Sequence, residues 1–407
     1  MSEPVAVKSR LKKNLLVYSL LHAYRSRRDN RAIAADQDRY ERQAREWRMP
    51  LGEAEANSVE AVRKRLAHRG LAWPPVLNGR KPHILYLSLP GNWERHNIPP
   101  ELEKVGDASY FFLEDQGIPW KGQDWPSIRA QVDRQLPEFV VQLHKKKPID
   151  LVLSYLSGSQ ISPPTIKAIG RMGIAVFSLH MDDRLYFHGY RYGDQWSGPA
   201  AVCRAYDLNL TNALESIVKY RVEESNVLFW PPGANPEYFK PLDLPKKYDV
   251  TFCGQMYGKR PLLIDYLRRK GIKVDCFGRD WEHGYQTDRG LVDVFNQSRI
   301  NLGLGYVGWS DFQCVKGRDF EIPSCGSVYL TSHNQNLERL YRIGKEIETY
   351  HSFGDCYQKI KQLLAYPERC REMGLAARKA VVNRHTWSGR VQQLLDLTIM
   401  EGVNGNH

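Results

Sequence analysis

The chain contains no run of about 18 or more apolar residues, so hydropathy offers no transmembrane helix. Its 7 cysteines are odd in number and include no C-x-x-C pair, which argues against a disulfide frame or a zinc site. Cys253 and Cys276 lie in apolar, strand-like runs and read as reduced core thiols. No G-x-x-x-x-G-K-[S/T] stretch occurs, which removes a P-loop enzyme. The first strand-like run exits through Leu89, Pro90, Gly91 and Asn92, without the glycine fingerprint of an NAD-dependent oxidoreductase. Helix-turn-helix spacing, zinc fingers and RNA-binding aromatic motifs are missing too, so no nucleic acid partner is expected. Met1 to Val5 lack a basic-then-apolar leader, and a cytoplasmic location is the expectation. There is no short-period internal repeat.

What is present is a chain of 407 residues, long enough for two ordinary domains and additional elements. At 42% hydrophobic and 26% charged it can bury a core and is not a disordered polymer. The formal net charge of +12 favours anionic partners such as nucleotides or an acidic lipid surface.

Three stretches are expected. Residues 1–80 read as a basic helical extension. Leu11, Leu15, Tyr18 and Leu21 fall near one helical face, flanked by Lys12, Lys13, Arg25, Arg27 and Arg28. Residues 8–28 could therefore lie on an anionic membrane, or pack on the protein body with their charges in solvent. A second helix is expected over 31–48. A third is expected from Asn57 as N-cap to Arg69, closed by Gly70. Pro74, Pro75, Asn78 and Gly79 then break the chain. From His83 the texture becomes alternating strands and helices, with strands at 83–89, 150–155, 173–179 and 208–211. Near-continuous apolar strands separated by helices indicate a parallel sheet covered on both faces. Ligands bind at the carboxyl ends of such strands, where Gly91, His180 and Asn212 sit. A proline-rich and aromatic segment, 230–241, reads as a connector, after which strands restart at 248–254, 273–278, 300–304 and 327–331. A helical region over 355–400 closes the chain. The expected fold is α/β, with an amino-terminal Rossmann-like domain at 81–229, a second at 230–407, and a cleft between them.

The segment from Lys316 to Gly326 carries the most chemistry. Lys316 and Arg318 could grip a diphosphate, Arg through two parallel charge-assisted bonds. Glu321 could accept from both hydroxyls of a ribose. The alternative is a surface salt-bridge cluster at a helix start. Asp182 and Asp183 look like a metal-binding pair, but adjacent residues on a strand point to opposite faces, so no metal site is expected. Asn92 and Trp93, on the first strand's exit, could line an acceptor side or form an ordinary loop. Trp230, Trp281 and Trp309 read as core or cleft wall.

Architecture and motifs together resemble the GT-B glycosyltransferases of the glycosyl-transferase group 1 type, and most of all the CgeB-like branch. The likeness rests on Pro231 to Pro241, on Phe252 to Arg260, on Phe277 to Trp281 and on Arg318 to Gly326. It covers the carboxyl-terminal half well and the amino-terminal domain in layout only. The resemblance implies a nucleotide-sugar donor on the carboxyl-terminal domain and a glycan, lipid-linked or protein acceptor on the other. It implies that Arg260 and Lys316, with Arg318, clamp the diphosphate and stabilise the leaving nucleotide, so that neither a metal nor any other cofactor is required. Gly254 and Gly326 would let the backbone approach the donor, Phe277 and Gly278 would lie near the base, and Glu321 would hold the ribose. His180 would contact the donor sugar or move a proton. Retention of configuration and a role in cell-envelope or polysaccharide synthesis are the family expectations. One departure stands out. Group 1 enzymes often carry an acid eight residues before the ribose-binding Glu, and here that position is Gln313. A lapsed enzyme kept as a binding scaffold is the competing reading.

Overall fold

The computed structural model describes residues 15–89, 92–119, 124–400 and 402. Leu11, Lys12, Lys13 and Gly91 lie outside them, and of Asn92 and Trp93 only the backbone is described. The chain forms two units. One comprises 35–232 with 387–400, the other 15–34 with 233–386 and 402. The residues expected to form a separate extension are thus shared between the units.

The first unit holds a six-stranded parallel sheet. Its strands are β1 His83–Ser88, β2 Asp107–Phe112, β3 Leu151–Ser154, β4 Ala175–His180, β7 Leu208–Thr211 and β8 Val227–Phe229, in the order β2-β1-β3-β4-β7-β8. Between β4 and β7 lies a short antiparallel hairpin, β5 Arg191–Tyr192 and β6 Gln195–Trp196. β1, β3, β4 and β7 are buried along their whole length, which is why they read as largely apolar runs. The second unit holds a five-stranded parallel sheet of β9 Tyr248–Cys253, β10 Val274–Phe277, β11 Ser298–Gly303, β12 Val328–Ser332 and β13 Glu348–Tyr350, ordered β10-β9-β11-β12-β13. In each sheet the first strand lies inside, flanked by the second and third, so the strand order reverses beside it. That reversal is the switch point where doubly wound sheets open a crevice for ligands.

Local expectations failed at element boundaries and where the apolar signal was weak. The helices expected at 11–25 and 31–48 are one continuous helix, Leu15–Glu46, because no Gly or Pro interrupts that stretch. The next helix runs Ala54–Ala67, three residues ahead of the expected Asn57 cap. β2, β8 and β13 were not foreseen; β2 is only half-buried over its first four residues, which blurs the apolar signal.

A buried carboxylate ties the first unit together. Asp207, just before β7, is 1% exposed. It meets Arg65 of the helix Ala54–Ala67 at 2.9 Å and Arg69, just past that helix, at 2.6 Å, and accepts the Val176 N–H of β4 at 2.9 Å. Asp207→Asn would leave two arginines facing a neutral amide, and it should cost about 3 kcal/mol of unfolding free energy. Equilibrium urea denaturation of the two proteins measures the difference.

Candidate functional site

In the second unit the switch point lies between β9 and β11, and both strands exit into glycine-bearing loops. After β9, the Gly254 N–H donates to the Phe277 carbonyl at 2.8 Å, extending the ladder with β10. Gly278 holds φ at 131°, a region that excludes side chains, and a Cβ there would collide with the Gly254 carbonyl oxygen. Two backbones therefore meet with nothing between them at the sheet's carboxyl edge. Phe277 itself is buried, its ring stacked on His283 at 4.6 Å, so it packs this turn. Arg260 opens the helix Arg260–Arg269. Its guanidinium donates to the Gln255 carbonyl at 3.0 Å and lies 4.1 Å from the centre of the Tyr257 ring. No carboxylate neutralises it among the described residues.

The Lys316–Gly326 segment is a helix, Arg318–Ser324, and not an open loop. Glu321 is 1% exposed and pairs with Arg318 one turn earlier. Arg318 also lies 5.4 Å from the centre of the Phe295 ring and close enough to Cys253, the last residue of β9, to bias its thiol. The helix follows β11 through the loop 304–317, so it starts at the carboxyl edge of the parallel sheet, the edge that Gly254 also leaves. The Arg318 Nε is buried without an acceptor, and burial lowers the guanidinium pKa. Glu321 already matches the charge, so what is left for an anionic ligand is this one unsatisfied N–H. Gly326 follows the same helix with φ at 68° and precedes β12. In a parallel sheet that is the opposite edge from Gly254, so Gly326 serves the helix-to-strand turn.

Sequence reasoning passed over the residues that hold this segment. Asp319 is fully buried; one oxygen accepts the Lys316 N–H at 2.7 Å and the other the Tyr329 O–H at 2.6 Å. Burial pushes its pKa up to about 6, while these two donors pull it down. Gln313 donates to the His333 carbonyl at 2.6 Å and accepts from the Ser332 hydroxyl at 2.5 Å, so a neutral amide bridges to the end of β12 where group 1 enzymes often place an acid. Also overlooked was Gly303-Leu-Gly-Tyr-Val-Gly308, which spells G-x-G-x-x-G directly after β11. Instead of opening a helix, this stretch folds back as a Tyr306–Gln313 bridge, so it is not a dinucleotide fingerprint.

In the first unit His180 ends β4. It is 4% exposed, lies nearly parallel to the Tyr220 ring, and its Nε2 has no partner. Burial holds its pKa down at about 3, so the imidazole is neutral and a weak base at ordinary pH. Asp182 follows in a left-handed conformation, φ 60°, an uncommon state for a residue with a side chain. Asp183 is buried and accepts the Tyr220 O–H at 2.8 Å, its pKa raised to about 6 by burial. Among the described residues no group of three or more His, Cys, Asp and Glu side chains is placed to hold a metal, the Asp182–Asp183 pair included.

Comparison with known proteins gives the frame for these sites. Residues 259–396 match the model of a glycosyl transferase-like family, a span that includes Arg260, Lys316, Arg318 and Glu321. No curated protein sequence matches the chain. Solved structures that share the fold include these three. A sucrose-phosphate synthase from Thermosynechococcus elongatus is 13% identical, with a TM-score of 0.53, covering 78% of this chain and 98% of its own. A glycosyltransferase from Rickettsia africae is 11% identical, with a TM-score of 0.53, covering 78% and 97%. HepE from Anabaena, solved in complex with UDP, is 12% identical, with a TM-score of 0.50, covering 77% and 99%. The fold is GT-B, and the domain match marks the chain as an enzyme of the glycosyltransferase kind.

Two outcomes follow from this geometry. Gly278→Ala must move the Gly254 carbonyl and strain φ, and should cost about 2 kcal/mol of stability, read by denaturant titration. His180, with a folded pKa near 3 against 6.5 unfolded, contributes stability that is full above pH 6.5 and is lost as pH falls toward 3. His180→Phe should therefore show a shallower loss of stability between pH 7 and pH 5 than the parent; equal slopes would mean that the imidazole is charged in the fold.

Proposed function

We propose that the protein transfers a glycosyl group from a nucleoside-diphosphate sugar to an acceptor hydroxyl, with the donor on the carboxyl-terminal unit. The bond from the anomeric carbon to the diphosphate breaks, and the nucleotide leaves with the electron pair. A bond to the acceptor oxygen forms and the hydroxyl proton is released. The observation that carries the reading is the convergence of Arg318 and Glu321 on the strand end that opens into the Gly254–Gly278 contact, inside the glycosyl transferase-like span.

Each group has a chemical part. Gly254 and Gly278, packed backbone on backbone, shape the turn beside the donor. Arg260 and Lys316 clamp the diphosphate and neutralise charge on the departing nucleotide, so that no bound metal need do so. Glu321, oriented by Arg318, accepts from the ribose hydroxyls. His180, neutral in its pocket, offers a hydrogen bond to a sugar hydroxyl and is too weak a base to carry the proton. HepE, which shares the fold, was solved with UDP, so a uridine diphosphate donor is the first to try. The reaction proceeds with retention, and the acceptor is a glycan, lipid-linked or protein hydroxyl in cell-envelope or polysaccharide synthesis. The enzyme works in the cytoplasm, at the inner face of the membrane. A non-catalytic scaffold is the second reading, favoured by Gln313, whose amide is committed to Ser332 and His333 in place of an acid.

Calorimetry against UDP, GDP, dTDP, ADP and CMP, with and without Mg²⁺, separates these readings. One nucleotide should bind without the metal, and Glu321→Ala should weaken it about tenfold or more, the loss of one strong hydrogen-bonding group. Nucleotide bound but no donor sugar consumed across a panel would support the scaffold. No nucleotide bound would sink both the donor site and the enzyme reading.

A further inference from the structure

The helix Leu15–Glu46 presents two different faces over residues 15–34. Its inner face grips the two loops that leave the switch point of the second unit. The Tyr18 hydroxyl donates to the Gly258 carbonyl at 2.9 Å, in the loop between Gly254 and Arg260. Tyr18, His22 and Arg25 surround the Trp309 ring, at 5.6, 6.0 and 4.8 Å. Asp29 accepts the Trp309 N–H at 3.0 Å, and Asn30 exchanges two hydrogen bonds with Asp311, at 2.8 and 3.0 Å. Asp311 in turn meets Lys259 at 2.5 Å. The loops touch each other too, since a Cβ on Gly258 would lie 3.0 Å from the Gly308 carbonyl. The helix is therefore the wall against which both loops are set.

Its outer face carries Leu16, Leu20 and Tyr24 at four-residue spacing, 73%, 67% and 70% exposed. The exposed arginines Arg27, Arg28 and Arg31 continue the stripe. This is not the face on which the sequence placed Leu15, Tyr18 and Leu21, because Tyr18 is buried against the protein. Three exposed apolar side chains followed by three arginines suit the boundary of an anionic bilayer, where the former enter the acyl layer and the latter meet phosphates. A second copy of this chain fits poorly. The stripe runs into three exposed arginines, and a chain of net charge +12 repels a second copy of itself.

We propose that this helix docks on anionic lipid through Leu16, Leu20 and Tyr24 and, by its inner face, makes the donor loops responsive to that docking. A surface that binds only the packed helix stabilises whatever the packed helix holds, by linkage. The proposal rests on the donor-site reading above for its functional meaning, but its test does not need a nucleotide. Vesicles of phosphatidylglycerol with phosphatidylcholine should co-sediment the full chain at least tenfold better than phosphatidylcholine alone. Amide exchange over 254–260 and 305–313 should slow about fivefold on the anionic vesicles. Leu16→Glu with Leu20→Glu should abolish binding and slowing while leaving exchange without vesicles unchanged. Asn30→Ala should keep vesicle binding and speed loop exchange. Binding without slowing of the loops would overturn the coupling. Binding that survives the double glutamate variant, or a concentration-dependent dimer that buries the stripe in sedimentation velocity, would overturn the surface. Loss of all nucleotide binding with these lipid effects intact would count against the donor assignment alone.

Discussion

The buried carboxylate of Asp319 is the constraint on which the donor side depends. One oxygen caps the Lys316 N–H and the other takes the Tyr329 hydroxyl, while its own carbonyl accepts from Tyr341 at 2.8 Å. The Arg318–Ser324 helix is thereby tied to β12 at its first turn. That fixes which way Arg318 and Glu321 point, and both side chains pair where β9 ends. A two-turn helix has little stability of its own, so its orientation has to come from such tertiary anchors. Asp319 touches no reacting group. It decides where the groups stand that would.

A second physical theme is how much backbone lies bare at the switch point. Gly278 meets the Gly254 backbone and Gly258 the Gly308 backbone, while Gly303 makes room for the Tyr329 side chain. Glycines at 254, 258, 305 and 308 give these loops more backbone freedom than other residues would. The amino-terminal helix restrains them with aromatic packing on Trp309 and hydrogen bonds to Gly258 and Asp311. Charge is handled in the same local way: Lys259 is matched by Asp311 and Arg318 by Glu321, whereas Arg260, among the described residues, meets a carbonyl and the Tyr257 and Phe252 rings and no carboxylate. A site with cations in excess of carboxylates is suited to an anion such as a diphosphate.

The sheets were legible because strands buried on both faces are largely apolar, and 84–87 and 151–153 are unbroken apolar runs. Half-buried β2 and short β8 were not, since neither produces a long apolar run. The basic residues and Glu321 were legible as chemistry, since guanidinium and carboxylate have few uses so close together. Their pairing with each other was not, because i,i+3 contact needs the segment to be helical, and Pro323 and Gly317 argue locally against a helix. Gly326 was misplaced for a related reason. A glycine after a phosphate-binding pattern looks like part of the site until the direction of β12 sets it at the far edge of the sheet.

By itself, then, the sequence determined the class of fold, the two-unit rhythm of strands and helices, and the anion-seeking residues between Gly254 and Glu321. These depend on composition and spacing along the chain. Only the tertiary structure decided that Asp319 anchors the site, that His180 is neutral, and that the amino-terminal helix grips the donor loops with Tyr18, Asp29 and Asn30. Each of those depends on burial, or on partners up to 281 positions away, and one chain read in order carries no record of such distances.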